Sequence, residues 1–448
     1  MDPQQPPMGI LQKLVTYKRM FGWRALIVRC TERVVGYEAR TSGFASDIRR
    51  TVPLEKPYTD DVAIPAQAVL KSRFAAIAPL PVYTAPGPEK RLNLVTDSIN
   101  SGSLFGGVGT ALILAALMAR KTGSKLRIVT RTQVAVESGF AQVLGCNDIS
   151  FDDNVEFVHV GVGDDAAQLD VCDGDTFLTT SWWTTACVLG SIAPSRVKYL
   201  LQEDERMFYP YGDDWIRCNE VLSRRDIGYY INTRLLFDHL VANGLPHLQT
   251  CGQWFEPSFP ESMFHSQEKS EAERERKRRL FFYARPNNAR NLFYRGLEVL
   301  ESAVARNIVD PERWEVVWVG KDAPHVHLAG RLTPTVVSTM GWSDYAEFIR
   351  GVDVGFCLMS TPHPSYPPFD LASSGAVVVT NRFGSKQDLS HYSRNILMSE
   401  LDVDSLTHAL EDGMRLAEDA PARRANYLAN HIFRSWEDSF HNILSTVK

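Results

Sequence analysis

The 448-residue chain contains 44% hydrophobic and 23% charged residues and carries a net charge of −5. This composition is typical of a folded globular protein, and the length allows two or three domains. The slight acidity argues against a protein that binds nucleic acid over its whole surface, so we expect no nucleic-acid partner. No apolar stretch approaches the roughly 20 residues that span a bilayer, and the N-terminus lacks a secretory signal, so we expect a cytoplasmic protein.

The seven cysteines are scattered and form no C-x-x-C pair. This spacing disfavours a zinc ribbon or a thioredoxin-type site. It is typical of free thiols in a reducing compartment.

The first 90 residues differ from the rest and predict an N-terminal helical arm. Residues 8–40 carry seven basic and two acidic side chains, with apolar residues at helical spacing. Such a helix either lies on an anionic membrane surface or docks on the body of the protein, and the sequence leaves both open. Residues 51–90 contain seven prolines and predict an extended connector.

From Arg91 onward, strand-like segments alternate with amphipathic ones, which predicts parallel sheets covered by helices. We expect an N-terminal Rossmann-like domain over 91–267, a charged linker over 268–279 and a C-terminal Rossmann-like domain over 280–428. The remaining residues, 429–448, predict a C-terminal helix that crosses back to the first domain. In such sheets ligands bind beyond the carboxyl ends of the strands, so the cleft between the domains is the expected site.

The first candidate motif, FGGVGT, stands between a predicted strand and the helix predicted over 108–123. Gly106 and Gly107 would let the backbone approach a ligand closely, and a helix N-terminus favours an anion. The spacing matches neither G-x-G-x-x-G nor a Walker motif. The motif is therefore either a tight structural turn or a wall of the cleft.

The second motif, YARPNNARN, follows the first strand of the C-terminal half. Arg285 and Arg290 are five residues apart, and Arg290 is predicted to open a helix. Two guanidinium groups there could hold a diphosphate by bidentate hydrogen bonds. They could equally be a pair of surface arginines.

The third motif, HPSYPPFDLASSG, predicts a rigid proline-rich loop and a short helix that carries Asp370. An acidic residue facing a cleft can bind sugar hydroxyls, or it can simply favour the helix dipole. His363, taken alone, is either a loop histidine whose ring nitrogens are hydrogen-bonded within the protein or a residue that contacts a ligand.

With these motifs, the C-terminal half resembles glycosyltransferase family 4, retaining enzymes of the two-domain GT-B fold. Arg285 matches the arginine of that family's Arg/Lys pair, and Arg290 stands where the lysine would be. Asp370 matches the second residue of its Glu-x7-Glu pair, whereas Pro362 occupies the first position. FGGVGTAL, YLLQEDERMFYP, FYARPNNARNLF and HPSYPPFDLASSG more narrowly resemble WsaF-type rhamnosyltransferases, over about residues 91–445.

The resemblance implies a site for each part of a nucleotide-sugar donor. Arg285 and Arg290 would stabilise the leaving diphosphate, His363 would contact the donor sugar, and Asp370 would bind the ribose. The remaining expected donor contacts are Met340 and Gly341, whose backbone would hold the base, together with Tyr366, Gly106 and Gly107. Substrate contacts expected on the first domain are Asp97, which could instead cap a loop, Gln202 and Glu205.

The resemblance also implies transfer of L-rhamnose from dTDP-L-rhamnose to a glycan or lipid-linked glycan acceptor of a bacterial surface polysaccharide. We expect no metal and no further cofactor, and front-side attack with retention. A peripheral contact with the inner face of the plasma membrane would involve residues 8–40. Two alternatives remain: a non-catalytic nucleotide-sugar-binding partner of a polysaccharide synthesis complex, and an epimerase or phosphorylase on the same fold.

Overall fold

The computed structural model describes residues 65–100, 104–164, 166–267 and 275–447. The basic segment 8–40, the first part of the predicted connector and most of the charged run 268–279 lie outside these residues. In the described part of the chain, no helix is both long and apolar enough to cross a membrane.

The first domain is built on a parallel seven-stranded sheet with the strand order β4-β3-β2-β6-β7-β8-β9. Its strands are β2 (Arg91–Thr96), β3 (Lys125–Thr130), β4 (Val155–His159), β6 (Thr176–Thr179), β7 (Val197–Leu201), β8 (Gly228–Asn232) and β9 (Gly252–Phe255). A small parallel pair, β1 (Val82–Thr84) and β5 (Leu169–Val171), lies beside it. The helices of the first domain are α1 (Ala66–Arg73), α2 (Gly109–Thr122), α3 (Ser138–Cys146), α4 (Trp182–Leu189), α5 (Asp213–Leu222), α6 (Arg234–Ala242) and α7 (Leu248–Cys251).

The second domain is built on a parallel six-stranded sheet with the order β12-β11-β10-β13-β14-β15. Its strands are β10 (Arg278–Tyr283), β11 (Trp314–Val319), β12 (Thr335–Val337), β13 (Val354–Phe356), β14 (Val377–Asn381) and β15 (Ile396–Ser399). Its helices are α8 (Phe293–Ala305), α9 (Trp342–Arg350), α10 (Tyr366–Ser373), α11 (Val403–Glu418) and α12 (Ala420–Leu428). Two parallel, doubly wound sheets confirm the predicted fold class.

The central strands of both sheets are buried along their whole length. Every residue of β2 and of β14 is buried, because helices cover both faces of a parallel sheet. Helix α2 is buried over Gly109–Ala119 and so packs inside the first domain. It ends, as predicted, at Gly123, whose φ of +61° suits the left-handed C-cap.

The end of the chain returns to the first domain. Two short helices, α13 (Trp436–Ser439) and α14 (His441–Thr446), place Trp436, Phe440 and Ile443 in the same hydrophobic core as α2. The Trp436 indole also donates a 2.8 Å hydrogen bond to Oδ1 of Asn147.

Three local predictions are wrong. The connector is not extended throughout, because the proline-free stretch after Pro65 forms α1. Arg290 does not open a helix but lies in a 3₁₀ turn, Ala289–Asn291, and α8 starts at Phe293. Residues 278 and 279 are not linker, since their backbone pairs with β11 as part of β10. The glycine motif is a π-helical turn, Leu104–Val108, that runs directly into α2.

Candidate active site between the two domains

The strand order of each sheet reverses at a switch point, between β2 and β6 in the first domain and between β10 and β13 in the second. Asp97 directly follows β2, and Arg285 and His363 lie on the segments that follow β10 and β13. Ligands of doubly wound sheets bind at such points. The chain topology therefore brings the predicted residues to the carboxyl edges of the two sheets.

The two arginines of the second motif differ in their surroundings. Arg285 is half-buried, and its Nη1 donates a 3.2 Å hydrogen bond to the Tyr283 hydroxyl. The Arg290 guanidinium reaches the first domain, where it lies 4.0 Å from the centre of the Phe208 ring and 3.6 Å from Oε1 of Glu203. Burial lowers the pKa of Arg290, while Glu203 acts in the opposite direction. Arg290 is thus a buried cation at the domain interface, not a surface arginine.

Glu203 and Lys386 complete this interface, and our sequence analysis did not select either. The Thr361 hydroxyl donates a 3.4 Å hydrogen bond to Oε1 of Glu203 across the cleft. Lys386 is fully buried, and its Nζ donates to the Met359 carbonyl at 3.0 Å. Burial raises the pKa of Glu203 to about 7 and lowers that of Lys386 to about 7. Glu203 lies two residues after β7 and Lys386 lies five residues after β14, so a position near the carboxyl end of a strand is the signal that could have identified them.

His363 is held as a neutral hydrogen-bond donor. Its Nδ1 accepts the backbone N–H of Ser365 at 2.9 Å, which places the proton of the neutral ring on Nε2. Burial, with Lys386 and Arg290 nearby, lowers the pKa of His363 to about 3. The buried Nε2 has no hydrogen-bond partner among the described residues. This atom can donate a hydrogen bond to a ligand but, with so low a pKa, is unsuited to act as an acid at neutral pH.

Tyr366 connects the two domains. Its hydroxyl lies 2.5 Å from Oγ1 of Thr110 on α2 and accepts a 2.8 Å hydrogen bond from Nδ2 of Asn232 at the end of β8. Gly106 lies against this ring, since an added Cβ would contact it at 3.5 Å, and its φ of +71° is in the left-handed region that favours glycine. The glycine motif therefore forms a wall of the closed cleft.

The three residues predicted on the first domain bond mainly within that domain. Gln202 donates a 2.7 Å hydrogen bond to the Gly107 carbonyl, and a Cβ on Gly107 would lie only 2.9 Å from the Gln202 amide nitrogen. Glu205 accepts the Trp182 backbone N–H at the start of α4. The Trp183 indole lies 3.0 Å from both carboxylate oxygens of Asp97. Burial raises the pKa of Asp97 to about 6.

Asp370 lies in the body of α10, not at its start. It accepts a 3.0 Å hydrogen bond from the Tyr345 hydroxyl, and burial raises its pKa to about 8. Gly341 is the N-cap of α9, and Met340 packs in the core beneath α10. These residues line one side of the second sheet, next to Tyr366. Within the described segments, no group of three or more His, Cys, Asp or Glu side chains could hold a metal ion.

Comparison with solved structures defines the class of this fold. HepE of Anabaena, solved in complex with UDP and glucose, aligns with a TM-score of 0.54 and 12% identity, over 79% of this chain and 98% of that one. WaaG, a glycosyltransferase involved in lipopolysaccharide biosynthesis, aligns with a TM-score of 0.53 and 12% identity, over 80% and 99%. The fold is therefore that of the GT-B glycosyltransferases.

Comparison of sequences identifies the family. The WsaF N-terminal domain matches residues 91–226, and the WsaF C-terminal domain matches residues 278–411. The chain therefore belongs to the WsaF family of glycosyltransferases. The O-antigen biosynthesis protein RfbC of Myxococcus xanthus is 28% identical over 386 residues, which are 83% of this chain. The match spans only 28% of the length of that relative.

Proposed function

We propose that this chain is a retaining glycosyltransferase that transfers L-rhamnose from dTDP-L-rhamnose to a growing bacterial surface polysaccharide. The observation that carries the proposal is the buried cationic cleft, to which the second domain contributes Arg285, Arg290 and Lys386. Cations in a site that excludes water stabilise the charge that develops on a leaving diphosphate. The RfbC relative, whose name assigns it to O-antigen biosynthesis, supports the polysaccharide acceptor.

In this mechanism the bond between the anomeric carbon and the diphosphate oxygen breaks while the acceptor hydroxyl attacks from the same face. The hydroxyl proton passes to the departing phosphate oxygen. Arg285 and Arg290 stabilise the resulting negative charge without a metal, helped by the positive end of the α10 dipole. The Nε2–H group of His363 donates to the donor sugar, and Asp370 binds the ribose.

A panel of nucleotides and nucleotide sugars tests the donor class through the thermal stability of the protein. A ligand that binds only the folded state raises Tm. We expect dTDP and dTDP-L-rhamnose to raise it more than UDP-glucose or GDP-mannose at equal concentration. A larger shift with a UDP sugar would contradict the rhamnosyl assignment and leave the transferase proposal intact.

Arg285→Ala tests the catalytic proposal. Loss of one preorganised donor to a developing charge slows an enzyme by roughly 100- to 1,000-fold, so we expect kcat to fall by about that factor. The measurement is release of dTDP from dTDP-L-rhamnose in the presence of acceptor. Arg306→Ala on the exposed end of α8 is the matched control and should keep wild-type activity. Transfer at the wild-type rate by Arg285→Ala would contradict the role of Arg285.

A non-catalytic nucleotide-sugar-binding partner is the second candidate. It is favoured by Pro362, which stands where the related family has the first glutamate of its Glu-x7-Glu pair. Wild-type protein that binds dTDP-L-rhamnose but neither hydrolyses nor transfers it would support this candidate. It would also contradict the enzymatic proposal.

A further inference from the structure

Four ionisable side chains, Glu203, Arg290, His363 and Lys386, meet at the domain interface with part of their hydrogen-bonding capacity unused. No partner lies within hydrogen-bond reach of Oε2 of Glu203, Nε and Nη1 of Arg290, or Nε2 of His363 among the described residues. A buried polar atom without a partner costs free energy, and a buried charge costs more than a neutral group. Several such atoms in one place indicate that a ligand completes the set.

Lys386 is held in this cluster by a short turn after β14. The backbone N–H of Lys386 donates to the Phe383 carbonyl at 2.8 Å, and the Phe383 N–H donates to the Lys386 carbonyl at 3.0 Å. The side chain is 0% exposed, and its Nζ donates to the Met359 carbonyl. An ammonium group has three donors, so a single carbonyl leaves capacity for an anion.

The segment 359–361 contacts the side chains of Lys386 and Glu203 and the backbone of Arg290. Met359 accepts from Lys386, the backbone N–H of Ser360 donates to the Arg290 carbonyl at 2.8 Å, and Thr361 donates to Glu203. This segment follows β13, beside the switch point of the second sheet. Lys386, Arg290 and Glu203 therefore surround one short stretch of backbone in the cleft.

The charges in this place are unequal. Glu203 is the carboxylate that contacts Arg290, at 3.6 Å, which is longer than a direct charge-assisted hydrogen bond. Against this one carboxylate stand the largely buried Arg290 guanidinium, with Arg285 near it, and Lys386, whose pKa of about 7 leaves it partly protonated at neutral pH. Excess positive charge away from water is costly unless an anion compensates it. A nucleoside diphosphate carries the charge and the acceptor oxygens that the cluster lacks.

We propose that Lys386 is a further donor-binding residue that contacts the diphosphate together with Arg290, and that Glu203 is the internal anion that the diphosphate replaces. This inference rests on the proposed function, because it takes a nucleoside diphosphate as the ligand. In the closed cleft without donor, Glu203 partly compensates Arg290 from the opposite domain. When the donor binds, its phosphates replace Glu203 as the anionic partner of Arg290. Lys386, on the turn after β14, then donates hydrogen bonds to the phosphates.

Isothermal titration of the full chain with dTDP and with thymidine tests the proposal, because thymidine lacks the phosphates. We expect Lys386→Met to weaken dTDP binding by about tenfold or more, as a hydrogen bond to a charged group is worth roughly 1.5–3 kcal/mol. Thymidine binding should not change. Arg382→Met, an exposed cation on the same turn, is the matched control and should bind dTDP like the wild type.

Glu203→Gln provides the second arm, because it keeps the size and shape of the side chain while it removes the charge and replaces one acceptor oxygen by an NH2 donor. If Glu203 competes with the diphosphate, this variant binds dTDP several-fold more tightly than the wild type. Weaker binding of dTDP by Glu203→Gln would overturn the role of Glu203. Wild-type affinity of Lys386→Met for dTDP would overturn the role of Lys386.

The inference and the proposed function fail in different ways. If wild-type protein binds dTDP and the Lys386→Met variant binds it equally well, the inference alone is wrong. If wild-type protein binds neither dTDP nor UDP, the proposed function is wrong. The inference is then wrong as well, because it takes a nucleoside diphosphate as the ligand. Should Lys386→Met not fold, Glu203→Gln decides the question by the sign of its effect on dTDP affinity.

Discussion

At the scale of single residues, burial decides what each ionisable group near the cleft can do. Sequence placed Gln202 and Glu205 on the correct segment but could not distinguish them from Glu203 between them. Glu205 points into the first domain and binds the start of α4, whereas Glu203 points across the cleft to Arg290. The direction of a side chain after a strand depends on the packing around it, which a linear pattern does not contain.

Glu205 gives a prediction for stability against pH. Its carboxyl is 5% exposed, and burial raises its pKa to about 8 from an ordinary value near 4.5. Between these two values the unfolded chain releases the proton that the folded chain keeps, so stability falls as the pH rises from about 4.5 to 8. Glu205→Gln keeps an acceptor oxygen for the Trp182 backbone N–H. It has no proton to lose in this pH range, so the fall in stability that Glu205 causes should be absent.

The measurement is Tm of both proteins at pH 5 and pH 8.5. We expect Glu205→Gln to exceed the wild type by a few degrees at pH 8.5 and to approach it at pH 5. Glu220→Gln, an exposed carboxylate on α5, should follow the wild type at both values. An equal difference at the two pH values would show that Glu205 is not the titrating group.

At the scale of elements, local patterns predicted most strands and helices. The buried parallel strand β14 begins with three consecutive valines, and α11 carries an apolar stripe. The prediction of an extended connector failed at α1, because the many prolines of that segment hid a proline-free stretch, 66–78, that is able to form a helix. Pro65 is the N-cap of α1, and the next proline, Pro79, lies beyond its C-terminal end. The π-helical turn before α2 is fixed by contacts of Gly106 and Gly107 with distant side chains.

Gly355 on β13 gives a prediction for how α10 is held. A Cβ at this position would lie 2.4 Å from Cδ1 of Leu371, so the helix that carries Tyr366 and Asp370 packs directly on the glycine. Overpacking of a core costs roughly 1–3 kcal/mol. We expect Gly355→Ala to lower the free energy of unfolding by about that amount and to raise the KM for the donor.

Urea denaturation and initial-rate kinetics measure the two effects of Gly355→Ala. Gly145→Ala is the matched control, since this exposed helical glycine of α3 has no atom within 4 Å of an added Cβ. Alanine favours a helix over glycine by up to about 1 kcal/mol, so this control should be neutral or stabilising. Unchanged stability of Gly355→Ala would contradict the close packing of α10 on β13.

At the scale of the whole molecule, the return of the chain to the first domain makes the C-terminal helices part of a core built some 300 residues earlier. The Phe440 ring lies 4.7 Å from the Phe255 ring and 5.2 Å from that of Trp436. The side chain is 0% exposed. The stability of the first domain therefore depends on the last residues of the chain.

Phe440→Ala tests this dependence. Truncation of a buried phenylalanine costs roughly 3–5 kcal/mol, and we expect a loss of that size in the free energy of unfolding. Urea denaturation followed by tryptophan fluorescence measures it. Leu428→Ala, at a side chain that is 71% exposed, should change stability little. A loss in Phe440→Ala no larger than in Leu428→Ala would contradict the packing of α14 on the first domain.

The sequence by itself was sufficient to predict two parallel sheets and the positions of the segments that follow their strands. Both predictions depend on local apolar runs and on the order of strands and helices along the chain. It therefore predicted that Arg285 and His363 lie beyond strand ends and that Asp370 lies on a short helix. Only the tertiary structure decided that Glu203 and Tyr366 reach across the cleft and that Lys386 is buried near Glu203 and His363. These contacts join residues far apart in the chain, and they exist only because closure of one domain on the other removes the side chains from water.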